Sequence, residues 1–311
     1  MGTVTALMPA IIDEVDFAAY MRASEPQQKV LPASSFVDEL KASLRPGYQA
    51  HIGLLPWVKT HNQFAFRSGE VTLWAGINGH GKSMMLSQVI LSMCAQGQKA
   101  CIASFEMKPF RQLQRLVRQA SNGEQITDEW VEVIGQFLHN RLWFYDQQGT
   151  VNVDMVYAVC RYCADKLGIR HMVIDSLMKC VRGDDDYNGQ KQLVDELTAI
   201  ARDTGMHIHL VHHVRKGNDE NTPPGKFDAK GSSAITDQVD NVMIVWRNKA
   251  KESDLEKGKD VMPSVPDAML ICEKQRNGEW EGRISLWFHK GAMQYTPDRF
   301  CDPMDLIGAG R

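Results

Sequence analysis

Gly76-Ile77-Asn78-Gly79-His80-Gly81-Lys82-Ser83 is the stretch from which the fold is read. The octet matches G-x-x-x-x-G-K-[ST], and its surroundings give the match its meaning. An apolar, β-rich run, Val71–Ala75, precedes it, and a helical pattern over residues 82–95 follows. Glycines let consecutive backbone N–H groups converge on an anion, and the helix N-terminus adds partial positive charge. Gly76, Asn78, Gly79, His80, Gly81, Lys82, Ser83 and Met84 therefore form the expected phosphate cradle. Within it, Lys82 neutralises the β- and γ-phosphates of a nucleotide, and Ser83 offers its hydroxyl to Mg²⁺.

Strand and helix patterns alternate through the rest of the chain. Apolar runs fall at Ala100–Phe105, Leu142–Tyr145, His171–Ile174, His207–Val211 and Val242–Trp246, with helical patterns near 109–120, 127–138, 153–167 and 189–203. This alternation predicts an α/β fold, a mostly parallel central sheet with helices on both faces. Ala268–Lys274 and Arg283–Phe288 flank Asn277-Gly278, a hairpin signal, so the sheet should finish in antiparallel strands. Ligands on such sheets bind at the carboxyl ends of the strands. Asp175 closes the run His171–Asp175 and reads as the acid that shares the metal shell with Ser83. Glu106, in Ser104-Phe105-Glu106-Met107, stands where a carboxylate can orient an attacking water.

The chain has 311 residues and a net charge of −3, with 43% hydrophobic and 23% charged residues. Those values exclude a disordered, collagen-like or disulfide-scaffold protein. No apolar run approaches the roughly 20 residues of a membrane span, and no secretory signal is read at the N-terminus. Seven cysteines without framework spacing point to a reducing, cytoplasmic setting, with Cys160 and Cys163 facing the core. Residues 1–33 read as a loosely ordered tail with a short helix near 13–22. Residues 34–62 read as a linker holding a short amphipathic helix. Ser35 is its expected N-cap, Phe36, Leu40 and Leu44 its apolar stripe, and Pro46-Gly47 its stop. The core is expected over 63–290 and a C-terminal tail over 291–311.

Some residues invite competing readings. His207, His209, His212 and His213 suggest a metal, but no Cys or Glu completes a zinc spacing. Arg111, Arg115 and Arg118 recur at helical spacing and read as a solvated face, as does the acidic run Asp184–Asp186. Arg215–Lys230 is polar, contains Pro223-Pro224, and reads as a long exposed loop.

Taken together, these pieces resemble helicase superfamily four, the ring helicases with a RecA-like core that include bacterial DnaB, mitochondrial Twinkle and the phage primase-helicases. The resemblance covers roughly residues 50–290 by motif order and spacing. Ser104-Phe-Glu-Met107 resembles the S-x-E-M segment, which implies Glu106 as catalytic base. Leu210-Val-His-His213 resembles the strand whose final His senses the γ-phosphate, which implies His213. Lys230-Gly-Ser-Ser-Ala234 resembles R-G-S-G-A, which follows a DNA-facing loop, so Lys216, Lys226, Lys230, Gly231 and Ser232 are expected on DNA. Lys274-Gln-Arg276 resembles the K-x-R element, with Arg276 a finger acting on the next subunit and Lys274 beside it. Asp237 occupies the usual Gln position, with Gln238 one residue later, and Lys230 stands where Arg is common.

What the resemblance implies is a phage replicative helicase without a primase domain, working in the host cytoplasm. It would be a homo-oligomer, a hexamer, using ATP or another NTP or dNTP with Mg²⁺ on single-stranded or forked DNA. A separate primase, polymerase or loader would be its partner. The competing functions are a RecA-like recombinase or recombination mediator, and a nucleotide-switched assembly ATPase that does not act on DNA.

Overall fold

β3 (Val71–Gly76) lies inside the sheet and is buried along its whole length, as a strand covered on both faces must be. The computed structural model describes residues 32–45, 51–183, 185–214, 221–223 and 233–307. Ahead of β3 come helix α1 (Val37–Ser43) and the short antiparallel pair β1 (Gly53–Leu54) and β2 (Ala65–Phe66). After it run α2 (Lys82–Ala95), β4 (Ala100–Ser104), α3 (Pro109–Ala120), α4 (Asp128–Leu138), β5 (Leu142–Tyr145), α5 (Val153–Leu167) and β6 (His171–Asp175). The chain continues through α6 (Tyr187–Thr204), β7 (His207–His213), α7 (Ser233–Gln238), β8 (Asn241–Arg247) and α8 (Lys249–Glu256). It closes with β9 (Ala268–Gln275), β10 (Gly282–His289) and β11 (Gln294–Thr296).

The large sheet has the order β11-β10-β9-β8-β3-β7-β6-β4-β5. β8, β3, β7, β6, β4 and β5 are parallel, and β9, β10 and β11 add antiparallel strands at one edge. Local chemistry sets the boundaries. Thr127, Asn152 and Asp186 cap α4, α5 and α6 through their side-chain oxygens, and Gly168 and Gly205 end α5 and α6 in the left-handed region. One face of the sheet packs on α5 and α6, where Cys160 and Cys163 are buried as expected. The other packs on α2, and a satellite cluster joins α2, α3 and α4.

Several sequence expectations change. Ser35 is not the N-cap of α1: it lies inside a 3-10 turn, Ala33–Phe36, and Phe36 precedes the helix without a side-chain cap. The predicted stop Pro46-Gly47, the tail helix near 13–22 and Asp184 lie outside the described residues. Residues 51–62 are packed rather than a free linker. Leu55 and Trp57 are fully buried, and the Trp57 indole donates to Tyr295 O at 2.7 Å. A buried aromatic of that size stabilises by about 1.5–3 kcal/mol, enough to hold a short segment on the core. Residues 294–307 also join the fold: β11 pairs with β10, and Leu306 and Ile307 are buried beside Leu91 and Leu116. The sequence pattern there is too short and too mixed to announce a strand.

The histidines of β6 and β7 form a buried polar wire. The Trp74 indole donates to His209 Nδ1 at 3.2 Å, which leaves the His209 proton on Nε2. That nitrogen donates to His171 Nδ1 at 3.1 Å, and His171 Nε2 donates to Ile52 O at 3.1 Å. His207 Nδ1 donates to Arg67 O at 2.7 Å and its Nε2 accepts from Thr72 Oγ1 at 2.8 Å. These partners engage every nitrogen of the three rings, so the wire offers no lone pair to a metal. No metal-holding group of three His, Cys, Asp or Glu occurs among the described residues. Burial pushes the imidazoles down, His171 to about 3 and His207 to about 4. A depressed folded value means stability is full above pH 6.5 and falls as pH drops toward the folded values. At pH 5 each of these two rings should cost about 2 kcal/mol. Thermal unfolding at pH 7.5 and 5.0 checks this, and an equal or higher melting temperature at pH 5.0 contradicts it.

Candidate functional site

The phosphate loop leaves β3 at Gly76 and enters α2 at Lys82. Two glycines are required by contacts. A Cβ at Gly76 would stand 2.5 Å from Val245 O, and one at Gly81 would collide with the Tyr295 hydroxyl at a backbone φ of +84°. Asn78 and Gly79 face solvent, His80 is buried and accepts the Arg247 backbone N–H at 3.2 Å, and Met84 is half-buried. The Lys82 ammonium is folded back into the loop, donating to Gly76 O at 2.7 Å and Ile77 O at 3.1 Å. Burial pulls it down to about 8, opposed by Asp175 and Glu106. A loop curled around its own lysine has the form of a site waiting for an anion.

Strand register brings the remaining groups to it. His213 pairs with Gly76 across β3 and β7, and Asp175 pairs with Ser104 across β6 and β4. Ser83 Oγ donates to Asp175 Oδ2 at 2.7 Å. Burial raises the Asp175 carboxyl, with the Ser83 hydrogen bond opposing. Glu106 Oε1 accepts from Ser176 Oγ at 3.2 Å and lies 3.6 Å from His213 Nε2. Burial and then the Lys82 charge lower His213, which leaves it neutral at pH 7, and its Nδ1 is buried without a hydrogen-bond partner. Lys82, Ser83, Asp175, Glu106 and His213 thus meet at the carboxyl ends of the parallel strands. The Ser83 hydroxyl and the Asp175 carboxylate are hard oxygen donors, the type Mg²⁺ takes when substrate phosphates fill its other positions.

Lys274 and Arg276 are elsewhere. Asn241, at the start of β8, pairs with both Thr72 of β3 and Gln275 of β9. The K-x-R element therefore sits at the opposite end of β3 from the phosphate loop. Lys274 Nζ donates to Thr236 O, Asp237 O and Val239 O at 2.9, 2.9 and 2.8 Å. Arg276 pairs with Asp240 at 3.0 Å. Asp237 and Gln238 are at this far end too. Lys216, Lys226, Lys230, Gly231 and Ser232 lie outside the described residues.

Sequence reasoning missed Ser176, which holds Glu106, and Tyr295, which closes on Gly81 from a distant strand. Arg115 departs from the solvated face read for its helix. Its Nη1 is buried without a hydrogen-bond partner, and Asp175 and Tyr295 are the groups that act on its charge. The one sequence signal was that Arg115 is followed by Leu116 and Val117, which point inward.

Residues 64–219 match the family model described as an AAA domain, half of the chain. The chain belongs to the AAA domain family. Among solved structures, this AAA domain protein is similar to a helicase ATPase domain solved on its own. The TM-score is 0.67 and the identity 16%, over 88% of this chain and 99% of that one. It is also similar to a DnaB-like replicative helicase solved in a study of its interactions with primase. There the TM-score is 0.66 and the identity 15%, over 87% of this chain and 69% of that one. The AAA domain protein therefore has a RecA-like core with a phosphate loop, as its motif order implies. No helix among its described residues is long and apolar enough to cross a membrane.

Proposed function

We propose that this chain is an NTP-hydrolysing replicative DNA helicase that acts as a ring. The observation that carries the proposal is the separation of Lys274 and Arg276 from the phosphate loop of their own chain. A finger at the far end of β3 has a phosphate to act on only in a second copy. Arg suits that task because it is always charged and forks onto phosphate oxygens. In this reading the loop N–H groups and Lys82 hold ATP or another NTP or dNTP, and Ser83 and Asp175 hold Mg²⁺. The ion, when bound, supplies Lewis-acid neutralisation of phosphate charge. Glu106 orients the attacking water and takes its proton. The neutral His213, one nitrogen still unengaged, reports the γ-phosphate to Glu106.

Ring assembly draws on two further features. Helix α1 and its flanks expose Phe36, Leu40 and Leu44 at 52, 60 and 76%. A cleft of about 730 Å³ beside α3 is lined by Met107, Phe110, Leu113, Ile126 and Val131, with Arg111 and Arg118 among its lining residues. In the proposed ring, α1 of one copy seats its apolar stripe in the cleft of the next, and Asp38 faces the arginines. The segment that carries α1 is then the arm that links copies. Lys216, Lys226, Lys230, Gly231 and Ser232 contact single-stranded DNA in the channel, and a separate primase, polymerase or loader serves the ring in the cytoplasm. Negative-stain images with non-hydrolysable ATP and single-stranded DNA should show closed rings, mainly six-fold. Open filaments would overturn the reading in favour of a recombinase, and monomers in favour of a nucleotide-switched ATPase.

A further inference from the structure

Asp240 occupies the junction of three elements at the far end of the sheet. Its side chain is 4% exposed, and its two oxygens are divided. Oδ2 accepts the Val71 backbone N–H at 3.0 Å, at the start of the strand that leads to the phosphate loop. Oδ1 accepts Arg276 Nη1 at 3.0 Å, and the Arg276 backbone N–H donates to Asp240 O at 2.9 Å. The other guanidinium nitrogen, Nη2, donates to Asp237 O at 3.2 Å and Gln238 O at 3.4 Å. One edge of the guanidinium is thereby held against α7 and Asp240. The side chain remains 39% exposed, with part of its five-donor fork still unspent.

Lys274 differs. An ammonium has three N–H donors, and all three are accounted for by Thr236 O, Asp237 O and Val239 O. Lys274 caps α7 and has no donor left for a phosphate unless that helix end comes apart. Arg276 is the one of the pair that combines a fixed edge with an open one.

We propose that Asp240 is a positioning residue for Arg276, holding the guanidinium so that its open edge meets a phosphate of an adjoining copy. The proposal rests on the ring reading above. A buried carboxylate behind an arginine fixes the plane of the fork and leaves less ordering to be done when the anion arrives. Loss of that alignment should slow turnover without weakening nucleotide binding, because the phosphate loop is at the other end of β3.

The test uses the full chain. Asp240→Asn keeps an acceptor for Val71 and removes the charge. Its kcat should fall roughly tenfold to a hundredfold, with affinity for a fluorescent ATP analogue within about twofold of the unchanged protein. Asp240→Asn with Arg276→Ala should be no slower than Arg276→Ala alone. Mixed with Glu106→Gln chains, Asp240→Asn should regain turnover, since one partner then supplies a sound site and the other a sound finger. Mixed with Arg276→Ala chains it should regain none. A damaged fold would not show that pattern. If Asp240→Asn does not fold, Arg276→Lys takes its place. A lysine cannot span Asp240, the α7 carbonyls and a phosphate together, so it should be as slow as Arg276→Ala, and near-normal turnover would overturn the proposal. Normal turnover in Asp240→Asn, or a loss that Glu106→Gln chains do not restore, would also overturn it. Failure of Arg276→Ala and Glu106→Gln chains to complement each other would instead overturn the ring reading beneath it.

Discussion

Lys82→Ala should lose NTP turnover by about a hundredfold or more while its melting temperature stays level or rises. The two halves of that result have separate causes. In the loop, Lys82 is the buried cation nearest the cradle, and a phosphate chain without it keeps only backbone dipoles and the helix end. Burial has already lowered the ammonium to about 8, so the protein without nucleotide carries a cost for keeping that charge out of water. Removing the charge relieves the cost, although two hydrogen bonds to Gly76 O and Ile77 O are lost with it. Lost activity with undiminished stability is the signature of a residue kept for function. Steady-state turnover and a thermal melt on the same preparation check it. Undiminished turnover would remove the site assignment.

Glu106→Gln should bind nucleotide normally and hydrolyse it about 10²- to 10⁴-fold more slowly. The amide keeps the size of the side chain and an oxygen for the Ser176 hydroxyl, so geometry is largely conserved. It cannot accept a proton. Glu106 stands past the end of β4, partly exposed and 3.6 Å from His213, where a water between it and a γ-phosphate would be reached by both. A fluorescent nucleotide titration beside single-turnover hydrolysis separates the two effects. Equal loss of binding and turnover would make Glu106 a structural support of the cradle.

The fold was legible where periodicity was strong. Val71–Gly76, Lys82–Ala95 and Val153–Leu167 follow from apolar alternation and helical spacing, and the Asn277-Gly278 turn announced the antiparallel edge. Illegible were contacts between distant segments. Nothing near Trp57 or Tyr295 in sequence tells that they meet, yet the indole donates to the Tyr295 carbonyl and the Tyr295 hydroxyl shuts against Gly81. The phosphate-end residues were legible because each ends a strand or opens a helix, and parallel strands deliver their ends to one place. Arg115 was not, since three arginines at helical spacing look alike until the helix is seated. Lys274 and Arg276 were found by motif, but that they grip the end of α7 and Asp240 depends on tertiary placement.

Strand displacement on a forked DNA duplex, with hydrolysable and non-hydrolysable ATP side by side, bears most directly on the proposed motor. The expected result is unwinding with hydrolysable ATP and Mg²⁺ only, lost in Lys82→Ala and in Glu106→Gln. Turnover that ignores single-stranded DNA, with no displacement under either nucleotide, would contradict a helicase and leave a phosphate-loop ATPase that works on something other than DNA.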